Sequence, residues 1–245
     1  MVNYMGVLEY DGSRYCGFQL QAEDVPTIQG EVEKALCKAE GRKVRVSYSG
    51  RTDRGVHALG QVISFRLKEE ADLYRFKWSL NCILPDDIAV REIARVEDGF
   101  DARRSAKKRQ YCYYVVNHNV QSVFLRKYSV LVTQGLDLEM MQEAASLFVG
   151  TKDFKAFSNE SGAKGTVRQV YDLVIKKTGD NLLVFEIIAD SFLYNMVRII
   201  VGSLLELGRG QRDMESIEKA LRSRDREQAG KAAPAKGLFL TKVFY

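Results

Sequence analysis

Hydrophobic positions recur along the chain with two different periods, and the switches between them mark out its elements. Residues 3–10 read as a strand that ends in a turn at Asp11-Gly12-Ser13. Thr27 then caps a helix that ends near Gly41, with Ile28, Val32, Ala35, Leu36 and Ala39 along one face. Residues 43–48 carry apolar side chains at every second position, and residues 61–67 set Ile63, Phe65 and Leu67 on one side. Both runs read as half-buried strands. A second helix spans about 72–84, with Leu73, Phe76, Leu80, Ile83 and Leu84 facing inward. Pro85 stops it, and residues 88–96 form another strand. The order β-α-β-β-α-β is the split pattern of ferredoxin-like and RRM-like domains.

The same order recurs. Residues 127–133 read as a strand and 137–149 as a helix stopped by Gly150. Two strands, 168–177 and 182–189, are joined by Thr178-Gly179-Asp180-Asn181, which has hairpin chemistry. Residues 193–207 form a helix that is apolar nearly all round and therefore expected to be buried. A short helix at about 215–222 precedes a last strand at 238–245. The expected fold class is α+β. It has two ferredoxin-like halves, 1–104 and 105–245, whose antiparallel sheets join edge to edge, with helices on one side and a cleft between the halves.

Between the strands at 43–48 and 61–67 lies Ser49-Gly50-Arg51-Thr52-Asp53-Arg54-Gly55-Val56-His57. Its one carboxylate, Asp53, stands between Arg51 and Arg54, whose charges keep it ionised, as a nucleophile or base requires. The loop is long for a hairpin, and long loops on a rigid scaffold often carry function. A solvated turn capped by Asp53 is the alternative that these residues leave open.

Charge narrows the class of partner. Thirty-seven Lys and Arg against 32 Asp and Glu give a net charge of +5. The excess is clustered: Arg103, Arg104, Lys107, Lys108 and Arg109 in one group, Lys34, Lys38, Arg42, Lys43 and Arg45 in another. Such clusters suit a polyanion, with RNA the obvious candidate, or form a solvated surface. The first group leads into a strand bearing Tyr111, Tyr113 and Tyr114, where alternation puts Tyr111 and Tyr113 on one face. In the apolar helix at 193–207, a buried Arg198 needs an anionic partner, and Asp53 is the cheapest in the chain. A structural ion pair elsewhere is the alternative.

Composition excludes several classes. With 46% hydrophobic and 28% charged residues the chain is of ordinary globular make-up. Cys16, Cys37, Cys82 and Cys112 are far apart, and His57 and His118 are the only histidines, so a zinc site is not expected. There is no dinucleotide fingerprint or phosphate-binding loop, and no uncharged apolar run long enough for a bilayer. Unpaired cysteines and the lack of a signal peptide point to the cytoplasm.

The Asp53 loop, read with Ala58 as Ser-Gly-Arg-Thr-Asp-x-Gly-Val-His-Ala, resembles the active-site segment of the TruA family of tRNA pseudouridine synthases. Tyr-Asp-Gly-x-x-Tyr-x-Gly-Phe-Gln from Tyr10 to Gln19 is similar to the opening of that family, and Ala233-Pro234-Ala235-Lys236-Gly237-Leu238-Phe239-Leu240 to its C-terminus. Matching segments run from Tyr4 to Tyr245. The resemblance implies a pseudouridine synthase fold and isomerisation of uridine in the anticodon stem-loop of tRNA, at positions 38–40, by a homodimer with no metal or small-molecule cofactor. It implies that Asp53 is the catalytic nucleophile and Arg198 its basic partner. Tyr111, first tyrosine of Arg-x-Tyr-x-Tyr, packs against the target base, and Leu238 lines the base pocket. Arg51 is the candidate to hold the flipped-out conformation, with Arg103 and Arg109 as further RNA contacts. Three positions depart from the family pattern: Asp101, Lys152 and Asn195 stand where His is usual. They bear on RNA contacts and substrate range. A non-catalytic RNA-binding protein or chaperone on the same scaffold, or a synthase with a different RNA target, are the competing readings.

Overall fold

The structure is a computed structural model, and it describes residues 1–22, 25–159, 165–179 and 181–245. Asp180 of the expected hairpin turn lies outside these. The chain divides into two compact units, Met1–Lys107 with Phe239–Tyr245, and Lys108–Leu238.

In the first unit the order is β1 (Val2–Tyr10), α1 (Ile28–Glu40), β2 (Ser47–Tyr48), β3 (His57–Leu67), α2 (Leu73–Ile83) and β4 (Ile88–Arg95). β1 lies between β3 and β4 and is antiparallel to both. The two long helices begin and end where side-chain chemistry puts them. Thr27 accepts the N–H of Gly30, Gly41 closes α1 in the left-handed conformation, and Asp72 accepts the N–H groups of Tyr74 and Arg75. The buried layer is built from Leu8, Ile63, Phe65 and Leu67 of the sheet and Ile28, Val32 and Leu36 of α1.

Two expectations change here. The strand expected over residues 43–48 pairs only at Ser47 and Tyr48, antiparallel to Ser64 and Ile63 of β3. Val44 and Val46 are buried as the alternation requires, but the N–H of Val46 goes to the carboxylate of Glu33 (3.1 Å) instead of a ladder partner. The last strand, β10 (Leu238–Phe244), pairs in parallel with the start of β3 at His57 and Ala58, so the last seven residues lie with the first unit and not with 108–238.

The second unit contains β5 (Lys108–Asn117), β6 (Val130–Val132), α3 (Leu138–Ser146), β7 (Gly150–Asp153), β8 (Val167–Thr178), β9 (Leu182–Ala189), α4 (Met196–Gly208) and α5 (Met214–Ser223). The sheet runs β6-β5-β9-β8-β7, antiparallel except for β6 on β5. The strand that opens this half is therefore β5. The run at 127–133 shrinks to three residues on its edge. Gly150 does turn the chain, at φ +105°, but into β7, which lacks apolar alternation and gave no strand signal. The aromatic core gathers Phe148, Phe154, Phe157 and Phe185, and α4 buries Ile199, Ile200 and Leu204. Among the described residues no helix is long and apolar enough to cross a membrane, and no cluster of His, Cys, Asp and Glu is arranged to hold a metal ion.

Candidate active site

The Asp53 loop is held from below by buried polar side chains. Ser49 donates to Oε1 of Gln61 at 2.6 Å, and Nε2 of Gln61 donates to the carbonyl of Gly50 at 2.8 Å. The hydroxyls of Tyr10 and Thr52 share a hydrogen bond of 2.8 Å. The carbonyl of Thr52 accepts the N–H of Phe18 (3.0 Å), and that of Asp53 accepts the N–H of Val56 (3.1 Å). Glycines make these approaches possible. A Cβ on Gly17, itself at φ +99°, would lie 2.8 Å from the carbonyl oxygen of Thr52, and one on Gly12 would run into the carbonyl of Val56. His57 is buried, stacks on Phe239 at 4.6 Å, and its Nδ1 accepts the N–H of Gly12 at 3.1 Å. Thr52 and Val56 are thus buried, Asp53 is half-buried, and Arg51 and Arg54 are exposed. Burial keeps Tyr10 well above the usual phenol range, against the lowering effect of its bonds to Thr52 and Gln61, so it stays neutral.

In the second unit, Tyr111 is buried on β5 with its ring edge-on to Phe192 at 5.0 Å. Tyr113, on the same face, donates to the carbonyl of Pro234 at 2.7 Å. Tyr114 points the other way and is half-buried. Arg198 sits in the first turn of α4 and is half-buried rather than buried. Its Nε donates to the carbonyl of Ala233 at 2.7 Å, and another guanidinium nitrogen to Oδ1 of Asn195 at 2.8 Å. The N–H of Ala233 returns to the carbonyl of Arg198 at 2.9 Å. Residues 233–237 are therefore strapped to α4 and β5, and this strap leads directly into the buried Leu238.

The two candidate RNA-binding arginines differ. Arg103 is exposed, whereas Arg109 is half-buried and donates to the carbonyl of Asp190 at 2.7 Å. Asp101 explains how Arg103 is presented. Its carboxylate accepts the N–H groups of Arg103 and Arg104, at 2.9 and 2.8 Å. Burial acts to raise the Asp101 pKa. The bonds from Arg104, Ser47 and Arg103, with the charge of Arg104, outweigh it and hold the carboxyl below its usual range. Asn195 has a local role too. It adopts a left-handed conformation, φ +63°, just before α4 and accepts from Arg198. Lys152 is half-buried on β7, opposite Arg168.

A family model described as tRNA pseudouridine synthase matches residues 7–103 and 144–245. The chain belongs to the tRNA pseudouridine synthase family. It is 44% identical over 246 residues to the tRNA pseudouridine synthase A of Acetivibrio thermocellus, with all of both chains covered. It is 44% identical over 240 residues to the tRNA pseudouridine synthase A of Moorella thermoacetica, with 97% of each chain covered. A solved H/ACA RNP bound to a substrate RNA containing 2′-deoxyuridine is similar only at a TM-score of 0.39 and 10% identity, over 83% of this chain and 43% of that one.

For a tRNA pseudouridine synthase, the sequence motifs pick out the charged side chains of the Asp53 loop without showing what its buried underside does. Gln61 falls in a segment that reads as an ordinary strand, and Tyr10, although it opens the motif that runs to Gln19, ends another. The period-two pattern marks them as inward-facing without saying that a polar group is needed there. Ala233 and Pro234 act through backbone carbonyls, which leave no side-chain signal at all.

Proposed function

We propose that this chain isomerises uridine to pseudouridine in the anticodon stem-loop of tRNA, with Asp53 as its nucleophilic carboxylate. Family membership over the full length makes it an isomerase acting on tRNA. In the reaction the bond from N1 to C1′ breaks, the uracil turns, and C5 bonds to C1′. The C5 proton leaves and N1 ends protonated. Nothing is oxidised or reduced. The step needs a group that captures or stabilises the reactive carbon while the base is detached, and a carboxylate does this in glycoside chemistry. The observation that carries the reading is Asp53 itself: one half-buried carboxylate on a loop whose neighbours are fixed by buried hydrogen bonds, within a segment that resembles the family's active-site segment.

The other roles are those that the family resemblance and the basic residues suggest. Arg198 keeps Asp53 ionised. Tyr111 stacks on the uracil, Leu238 closes the pocket with apolar surface, and Arg51 holds the flipped-out conformation. Arg103 and Arg109 contact the RNA backbone. The enzyme works as a homodimer in the cytoplasm. No disulfide joins its four cysteines, which accords with a reducing compartment.

Pseudouridine mapping of tRNA from cells with and without the gene tests the reading. The expected result is loss of the anticodon-arm signal in the deletion strain. An intact anticodon arm with loss at another site overturns the proposed target, and an unchanged map overturns the activity.

A further inference from the structure

We infer that Gln61 is a positioning residue for Asp53, acting with Tyr10 through the buried underside of the loop. The inference rests on the role proposed above for Asp53.

Gln61 lies on β3 and is 0% exposed. A buried side-chain amide is costly unless all of its polar atoms are matched. Here they are. Oε1 accepts from Ser49 at 2.6 Å, while Nε2 donates to the carbonyl of Gly50 at 2.8 Å and to the Tyr10 hydroxyl at 3.4 Å. The orientation is forced, because a flipped amide would set oxygen against the Gly50 carbonyl. Tyr10 passes the network on to Thr52 at 2.8 Å. Residues 49, 50 and 52 are thus each tied to the same buried cluster, and Asp53 is the next residue along.

An ordinary strand of the first unit would fill this position with an apolar side chain, as Ile63 and Phe65 do nearby. Tying a surface loop to four buried and mutually matched polar side chains, Ser49, Tyr10, Thr52 and Gln61, fixes it more closely than a simple turn requires. A carboxylate that must meet one carbon of a flipped nucleotide does need such fixing, because small displacements of a reacting group cost rate steeply.

The test is single-turnover pseudouridine formation at saturating tRNA, run beside tRNA binding and thermal unfolding, on Gln61→Met, Gln61→Glu and Asp53→Asn. Gln61→Met keeps the volume and removes the network. Its rate is expected to fall on the order of tenfold to a hundredfold, with tRNA affinity unchanged and the protein folded at the assay temperature. Gln61→Glu places an acceptor against the Gly50 carbonyl when ionised, but its protonated form can donate there. Burial raises the pKa of such a carboxyl, so its rate relative to wild type is expected to recover as pH falls, which a general loss of stability does not produce. A wild-type rate for Gln61→Met, or a flat pH ratio for Gln61→Glu, overturns the inference. Where Gln61→Met does not fold, Tyr10→Phe replaces it with the same expectations. Turnover by Asp53→Asn removes the underlying role of Asp53. An inactive Asp53→Asn beside a fully active Gln61→Met removes only the positioning role.

Discussion

At the scale of single residues, Arg198 shows how a half-buried charge is held in place. Two of its guanidinium nitrogens are committed to Ala233 and Asn195, which fixes the direction of the side chain. A planar fork can hold both acceptors at once, whereas the ammonium of Lys is a single point on a flexible stem. Arg198→Lys is therefore expected to lose about one charge-assisted hydrogen bond, about 2 kcal/mol, and to melt about 4–8 °C lower. An unchanged melting temperature would show that the strap over α4 does not depend on the guanidinium. Asn195 belongs to the same argument. At a position where the family resemblance leads one to expect His, its side chain is spent on orienting Arg198, from a backbone conformation that Asn tolerates better than most residues.

At the scale of elements, close backbone approach decides more than propensity does. Gly202 lies inside α4, where Ala would ordinarily be favoured by about 1 kcal/mol. A Cβ there would collide with the carbonyl oxygen of Lys231, two residues before the strap, and Gly230 packs closely on Ser203. Gly202→Ala is expected to destabilise the protein by about 1–3 kcal/mol, seen as a lower urea midpoint with unchanged slope. A stabilised variant would mean that the strap shifts freely.

The same contrast explains which elements were legible in the sequence. α1 and α2 could be read to within a residue because Thr27, Gly41, Asp72 and Pro85 act locally. β2 could not, because the carboxylate of Glu33, on the preceding helix, takes the N–H of Val46 that a ladder would have used. α3 passes from helix to i→i−3 bonds at Leu147 to Val149 before Gly150, so its end was misplaced by a turn. Of the candidate site, the exposed Arg51 and the half-buried Asp53 were legible as a charged motif. Tyr10, Ala233 and Pro234 lie in the segments that resemble the family, but their tasks, like that of the buried Gln61, come only from tertiary packing.

At the scale of the whole molecule, a net charge of +5 is modest for a partner as anionic as tRNA, so the distribution of charge matters more than its sum. The two arginines carried forward from the basic segment should separate on this test. Arg103 is exposed on a turn ordered by Asp101, and Arg103→Ala is expected to reduce the salt dependence of tRNA binding by about one unit of slope without changing stability. Arg109 donates to the backbone of Asp190, and Arg109→Ala is expected to lower the melting temperature as well. Equal effects of the two on both measurements would contradict this division.

Every role proposed here converges on one carboxylate, and one comparison tests it most directly: tRNA binding and pseudouridine formation by purified wild type and Asp53→Asn. The substitution keeps the shape of the side chain and removes its charge. The account predicts tRNA affinity within about twofold of wild type, as expected where a contact serves the transition state alone, and no detectable pseudouridine. Sustained pseudouridine formation by Asp53→Asn would contradict it.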